Sequence, residues 1–232
     1  MGYTNNTVNS MMPLLMFFAA AVIIILVLIQ SAKIKKIRID AIIDYCFRNN
    51  LQYSQDDNLS VVNRYYFSKL MGQGHDKHAE NLVYGKIKNR DFIFFDYKYQ
   101  TGSGKNEQSF EFGVVCVEMS VMFSDLYIRA ENVLDKIAGA IGFDDINFEF
   151  EEFNRAFHVK SSDKKFAYDI INSAAMQMLL ENREWIIEFN SNNILFYKSR
   201  IFTVEDYERI SSFANKFIDI IPEYIMNPIQ RN

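Results

Sequence analysis

Cysteine is scarce in this chain, with Cys46 and Cys116 the only two among 232 residues. That is too few for a disulfide framework and fits free, packed thiols in a reducing compartment. Proline (3) and glycine (9) are also sparse, which excludes a low-complexity or collagen-like chain. An excess of positive charge is missing as well: 25 Lys and Arg face 29 Asp and Glu, for a net charge of −4. Such a chain does not work by neutralising phosphates along a nucleic acid, and no nucleic-acid partner is expected. What is present is apolar material, 49% hydrophobic and 15% aromatic. That suffices for one membrane anchor and one folded domain of about 200 residues.

The anchor is the uncharged run MMPLLMFFAAAVIIILVLI, from Met11 to Ile29. About 20 residues cover the roughly 30 Å hydrocarbon core as a helix, the form that satisfies every backbone group where water is absent. Pro13 sits near the start, where its missing N–H removes a donor that would have had no partner. The flanks are asymmetric. Residues 1–10 carry no side-chain charge, whereas Lys33, Lys35, Lys36 and Arg38 follow the span directly. The positive-inside bias then predicts a single-pass protein of the cell membrane with a cytoplasmic C-terminal domain. A cleaved signal peptide would place the basic residues before the apolar stretch. Neither the start, which lacks a myristoylation hydroxyl at Asn6, nor the Asn5-Asn6-Thr7 triplet alters this reading.

The expected organisation is a short extracytoplasmic tail over 1–10, a transmembrane helix over 11–30, an amphipathic neck helix over 31–50 and a soluble domain over 51–232. Ile34, Ile37, Ala41 and Tyr45 recur at helical spacing in the neck. A polar linker over Gln52–Ser60 and a loop through QGHDKHAEN are expected next. LVYGKI and DFIFFDYKY, joined at Lys88-Asn89-Arg90, read as a β-hairpin, and SFEFGVVCVEM as a third antiparallel strand. AENVLDKIAGAIG reads as a short helix, INFEF and AFHV as strands, and SSDKKFAYDIINSAAMQMLLE as one helix. WIIEF and ILFYK read as a second hairpin turning at Asn190–Asn193, followed by a helix capped by Thr203 and ending near Pro222. Roughly seven strands grouped apart from two or three packed helices define an α+β class, with a mainly antiparallel sheet.

Few residues suggest chemistry. TGSGK at Thr101–Lys105 resembles a phosphate loop, but Tyr99 stands where the first glycine is needed and Asn106 where the hydroxyl is needed, so a hairpin turn is expected. His75, Asp76, His78 and Glu80 are the weak metal candidates, of suitable type but undiagnostic spacing. The acidic run from Asp144 to Glu152 reads as a strand with buried Phe148, Phe150 and Phe153, not as a catalytic carboxylate pair. There is no nucleophile elbow, local Cys/His pair or kinase signature. The chain is therefore expected not to be an enzyme and to need no cofactor. Its expected partners are the lipid bilayer and a protein, or a second copy of itself. A ligand-binding or lipid-headgroup sensor is the alternative, with Phe92, Phe94, Tyr97 and Tyr99 lining a pocket. The four basic residues of the neck set topology and are suited to gather anionic lipid.

The segments FDYKYQTGSGK (Phe95–Lys105), DKIAGAIGFDDINFE, EFNRAFHVKSSDKKFA (Glu152–Ala167) and the WIIEF and ILFYK arms together resemble a widespread set of prokaryotic membrane-anchored proteins without an established activity. The resemblance covers nearly all of the chain after the anchor. It implies a hydrophobic helix, a basic neck and one α+β domain, and it transfers no catalytic residue. The chain departs from it at SVMFSDLYIR, where members often carry Leu-Pro after the third strand.

Overall fold

A computed structural model describes residues 4–131 and 145–227. Contacts divide the chain into two compact units, Met1–Asp44 and Tyr45–Asn232. Helix α1 (Thr4–Asn49) begins inside the expected tail and runs without a break through the apolar stretch and the neck. Among the described residues it supplies one segment, Met16–Asn49, long and apolar enough to cross a membrane. The helix ends in a turn at Asn50, whose positive φ of 53° suits an asparagine.

The second unit is α+β. Among the described residues six strands form one antiparallel sheet: β1 (Gln52–Asp56), β2 (His75–Ile87), β3 (Arg90–Thr101), β4 (Gln108–Ala130), β5 (Phe157–Ser161) and β6 (Ile186–Lys198). The segment expected as a linker is thus edge strand β1, in register with β2 from Gln52 opposite Tyr84 to Asp56 opposite Glu80. Its polar side chains suit an edge, which composition alone does not separate from a loop. The expected loop at His75–Glu80 likewise opens β2. Lys88 and Asn89, both at positive φ, make the tight turn between β2 and β3 as expected.

Strand β4 is the spine, with 23 residues. β3 pairs with its first half and β5 with its last residues on one side, while β6 runs along the other. Thus WIIEF and ILFYK are two ends of a single strand, not a hairpin. Ser191, with a φ of 52°, absorbs the irregularity opposite the bulged stretch of β4 between Glu118 and Phe123.

The described residues of the unit also form the helices α2 (Val61–Arg64), α3 (Glu151–Ala156), α4 (Lys164–Ile170), α5 (Ser173–Glu181), α6 (Val204–Asp219) and α7 (Glu223–Met226). The long helix expected over 161–181 is two. Asp163 caps α4 through Phe166 N–H at 3.0 Å, and Asn172 restarts the chain as the cap of α5 through Ala175 N–H at 3.0 Å. INFEF is not a strand. Asp145 makes an isolated bridge to Lys160, and Glu151 and Glu152 open α3, leaving Phe150 half exposed. Of the helix expected over 130–142, Ala130 instead closes β4 and Glu131 follows as a turn, while 132–142 lie outside the described residues.

The amphipathic α6 lays Phe213 and Phe217 on Phe196 of the sheet, with Tyr207 against Phe94 at 5.1 Å. The opposite face is covered by the segment 57–74, whose Val61, Tyr65, Leu70 and Met71 are buried on Phe95, Tyr97, Tyr99 and Phe112. Burying an aromatic or aliphatic side chain contributes about 1.5–3 kcal/mol, so both coverings are integral to the fold.

Candidate functional site

His75 meets its neighbour Asp76 at 3.1 Å and donates its other ring nitrogen's proton to the Gly102 carbonyl at 2.9 Å, while Glu80 pairs with Lys98 at 2.8 Å. His78 reaches only the Asp76 backbone. The four do not converge, and among the described residues no group of three His, Cys, Asp or Glu is placed to hold a metal ion. TGSGK closes the connection between antiparallel β3 and β4 through a 3₁₀ turn at Gly104–Asn106, so it precedes no helix that could bind phosphate. Phe92, Phe94, Tyr97 and Tyr99 are all buried in the core of the sheet. Lys33, Lys35 and Lys36 are exposed on α1 and Arg38 is half exposed.

Two features remain, neither anticipated from sequence. One is an open groove of about 1130 Å³ between the segment 147–150 and the α4–α5 corner. Phe148, Phe150, Tyr168, Met176 and Leu180 give it an apolar lining, with Asn147, Glu149 and Gln177 as polar groups among them. The break at Ile171–Asn172 makes the corner, and Asn172 fixes it by donating to the Ile220 carbonyl at 3.2 Å. Tyr168 donates its hydroxyl proton to the Asn147 carbonyl at 3.1 Å, pinning one wall to the other. An apolar lining with a few polar groups can hold an apolar ligand or an anchor side chain of a protein. No sequence signal announced it, because Phe148 and Phe150 read from the sequence as buried residues of a strand.

The other feature is a polar cluster on the face covered by segment 57–74. Glu188, buried on β6, accepts from the Lys69 N–H at 2.7 Å and from the Tyr197 hydroxyl at 3.4 Å. Burial raises its pKa to about 7 against the lowering by those donors. Beside it a cavity of about 10 Å³ is lined by Asp125, Tyr127, Lys160 and Asn190, at the lower limit of the space one water molecule occupies. A second pair of acids ties the same covering down: Asp57 accepts from Val61 N–H at 2.8 Å, and Glu118 accepts from Arg64 at 2.6 Å and from the Tyr65 hydroxyl at 2.8 Å. Burial pushes the Tyr65 hydroxyl and the Cys116 thiol well above their ordinary values, so neither serves as a nucleophile at neutral pH. A buried acid with a shifted pKa is a recognised mark of function. Glu188, however, is spent on holding a backbone N–H and has no room for a substrate. A single acid amid the apolar WIIEF was the sequence signal for it.

No protein-family model and no curated protein matches the chain. Among solved structures, the fold resembles the crystal structure of the mycobacterial trehalose monomycolate transport factor A, TtfA, with a TM-score of 0.54 over 79% of this chain and 96% of that one at 14% identity. At that identity the likeness shows the α+β fold alone.

Proposed function

We propose that this chain is a membrane-anchored, non-enzymatic interaction module. Its folded domain sits on the cytoplasmic side and engages a protein partner, or a second copy, through the groove at the α4–α5 corner. The observation that carries the reading is the unbroken helix α1, which joins a span-length apolar segment to the sheet domain. Such a helix tethers a folded domain to a bilayer. The basic flank at Lys33–Arg38 supports the cytoplasmic side. The non-enzymatic reading is supported by the use of Glu188, Glu118 and Asp57 as structural acceptors.

The direct test is a photo-crosslinking amino acid placed at Phe150 and Tyr168 of the full-length protein in living cells. A discrete protein adduct at the groove positions, absent from an exposed control such as Lys86, is the expected result. Crosslinks equal to the control at both positions would sink the groove. Protease accessibility of a C-terminal tag in spheroplasts tests sidedness, and digestion from outside would reverse it. A lipid-binding role is the second reading. It is favoured by the apolar lining of the groove and by the fold it shares with a protein named as a trehalose monomycolate transport factor. Adducts to lipid in place of protein would select it.

A further inference from the structure

We propose that the start of the neck is a lipid-binding collar that selects anionic headgroups, an inference that rests on the anchor reading and names the lipid class the anchor gathers. From Gln30 to Ile39 the only charged residues are Lys33, Lys35, Lys36 and Arg38, all basic. At about 100° of rotation per residue they lie near 0°, 200°, 300° and 140° around the helix. The charge therefore encircles α1 instead of marking one face. A ring suits many small mobile anions arriving from every side, as headgroups do, and does not suit a single docked protein surface.

Depth agrees with this assignment. Helix α1 is continuous here, so a rise of 1.5 Å per residue places Lys33 about 6 Å and Arg38 about 14 Å beyond Ile29, the last residue of the apolar run. The headgroup layer occupies roughly 5–8 Å outside the hydrocarbon on each side, and long basic side chains reach along the helix toward it. Ile34 and Ile37 stand exposed between the basic residues. That placement is unfavourable in water and favourable at the boundary of acyl chains and headgroups.

The charge then inverts. Asp40 and Asp44 are the next charged residues on the helix, set where an anionic surface would repel them and so limiting how deep the collar can sink. With the whole chain at −4, removing the collar's four positive charges leaves the remainder at −8. Positive charge is thus concentrated where a bilayer with anionic lipid would attract it, at about 1 kcal/mol per basic residue near such a surface.

The test uses full-length protein in nanodiscs of phosphatidylcholine doped with a minor fraction of phosphatidylglycerol. The lipids retained on gentle release are read by native mass spectrometry. Each retained lipid should be phosphatidylglycerol about fivefold more often than the bulk ratio. The preference should weaken at high salt, as screening demands. It should survive Lys33→Arg, Lys35→Arg and Lys36→Arg together and disappear when all four positions are changed to Gln. Retained lipid at the bulk ratio, or enrichment that survives the four Gln substitutions, overturns the collar. Protein that fails to enter the disc overturns the anchor reading, and the collar with it, a result separable from insertion without enrichment.

Discussion

Two carboxylates on the sheet domain are buried to almost the same degree and behave oppositely. Glu188 is 2% exposed and Asp206 is 1% exposed. Asp206, in the first turn of α6, faces Lys198 at 2.5 Å and Arg200 at 2.7 Å, and its Oδ2 accepts from the Thr203 N–H at 2.8 Å. Burial pushes its carboxyl up, but these donors outweigh it and hold the pKa at about 2. Glu188 has one backbone N–H, a tyrosine hydroxyl and the charge of Lys69 without an ion-pair contact, opposed by the charge of Asp125, and burial wins. Burial sets the penalty for charge in both places, and the supply of cationic donors decides whether the charge is kept.

Removing Asp206 should break the comparison most severely. Asp206→Ala leaves Lys198 buried without its carboxylate, with its ammonium 4.4 Å from the centre of the Trp185 ring, and deletes the capping box with Thr203. A loss of about 3–5 kcal/mol in denaturant unfolding is expected, and a loss below about 1 kcal/mol would show that the pair is dispensable.

Glu188→Gln sharpens the contrast through pH. The folded pKa of Glu188 is raised from 4.5 to about 7, so the folded state holds a proton that the unfolded chain has released between those values. The contribution of this group is therefore full below about pH 4.5, falls as pH rises toward 7 and is flat above. The variant should gain up to about 3 kcal/mol over the parent at pH 8 and nothing at pH 4. Stability curves of parent and variant that run parallel from pH 4 to 8 would remove the assignment. Asp206 has the opposite sign: its depressed pKa contributes stability that is present above about pH 4 and lost as pH falls toward 2.

A smaller effect is expected from Gly113→Ala, which disturbs the aromatic cover of the ion pair. A Cβ there would lie 2.2 Å from the Phe202 ring, itself buried against Trp185 and Tyr207. About 1–3 kcal/mol of destabilisation should appear as a lowered melting temperature. The smallest change is Tyr197→Phe, which removes one long hydrogen bond from Glu188. It should cost about 1 kcal/mol or less and move the midpoint of the pH dependence upward; a downward shift would mean that the hydroxyl does not favour the charged carboxylate.

Much of the architecture was legible because it rests on periodicity. The aromatic-rich run of β3, buried on both faces, and the apolar stripe of α6 each report directly on the core. The errors fall where local sequence is ambiguous and distant partners decide. Gln52–Asp56 reads as polar linker until β2 lies beside it, and Asn190–Asn193 reads as a turn until β4 bulges to match it. Asn172 resembles any helical asparagine until its side chain caps a second helix and fixes the corner. The groove depends on that corner, so no motif announced it. Asp206 was legible in principle, since Thr203 with an acid three residues later forms a capping box. Its double engagement by Lys198 and Arg200 required the fold.

The central position of β4 also orders events in time. The β2–β3–β4 meander joins neighbours in sequence, whereas β6 must close contacts between residues as distant as Gly113 and Lys198. Pairings of such separation form late. A chain made from its N-terminus therefore delivers the apolar segment to the bilayer first and its last strand near the end of synthesis. In the interval the long edge of β4 stands open, and an open edge invites pairing with other chains. Early tethering spaces nascent copies along a surface during that interval.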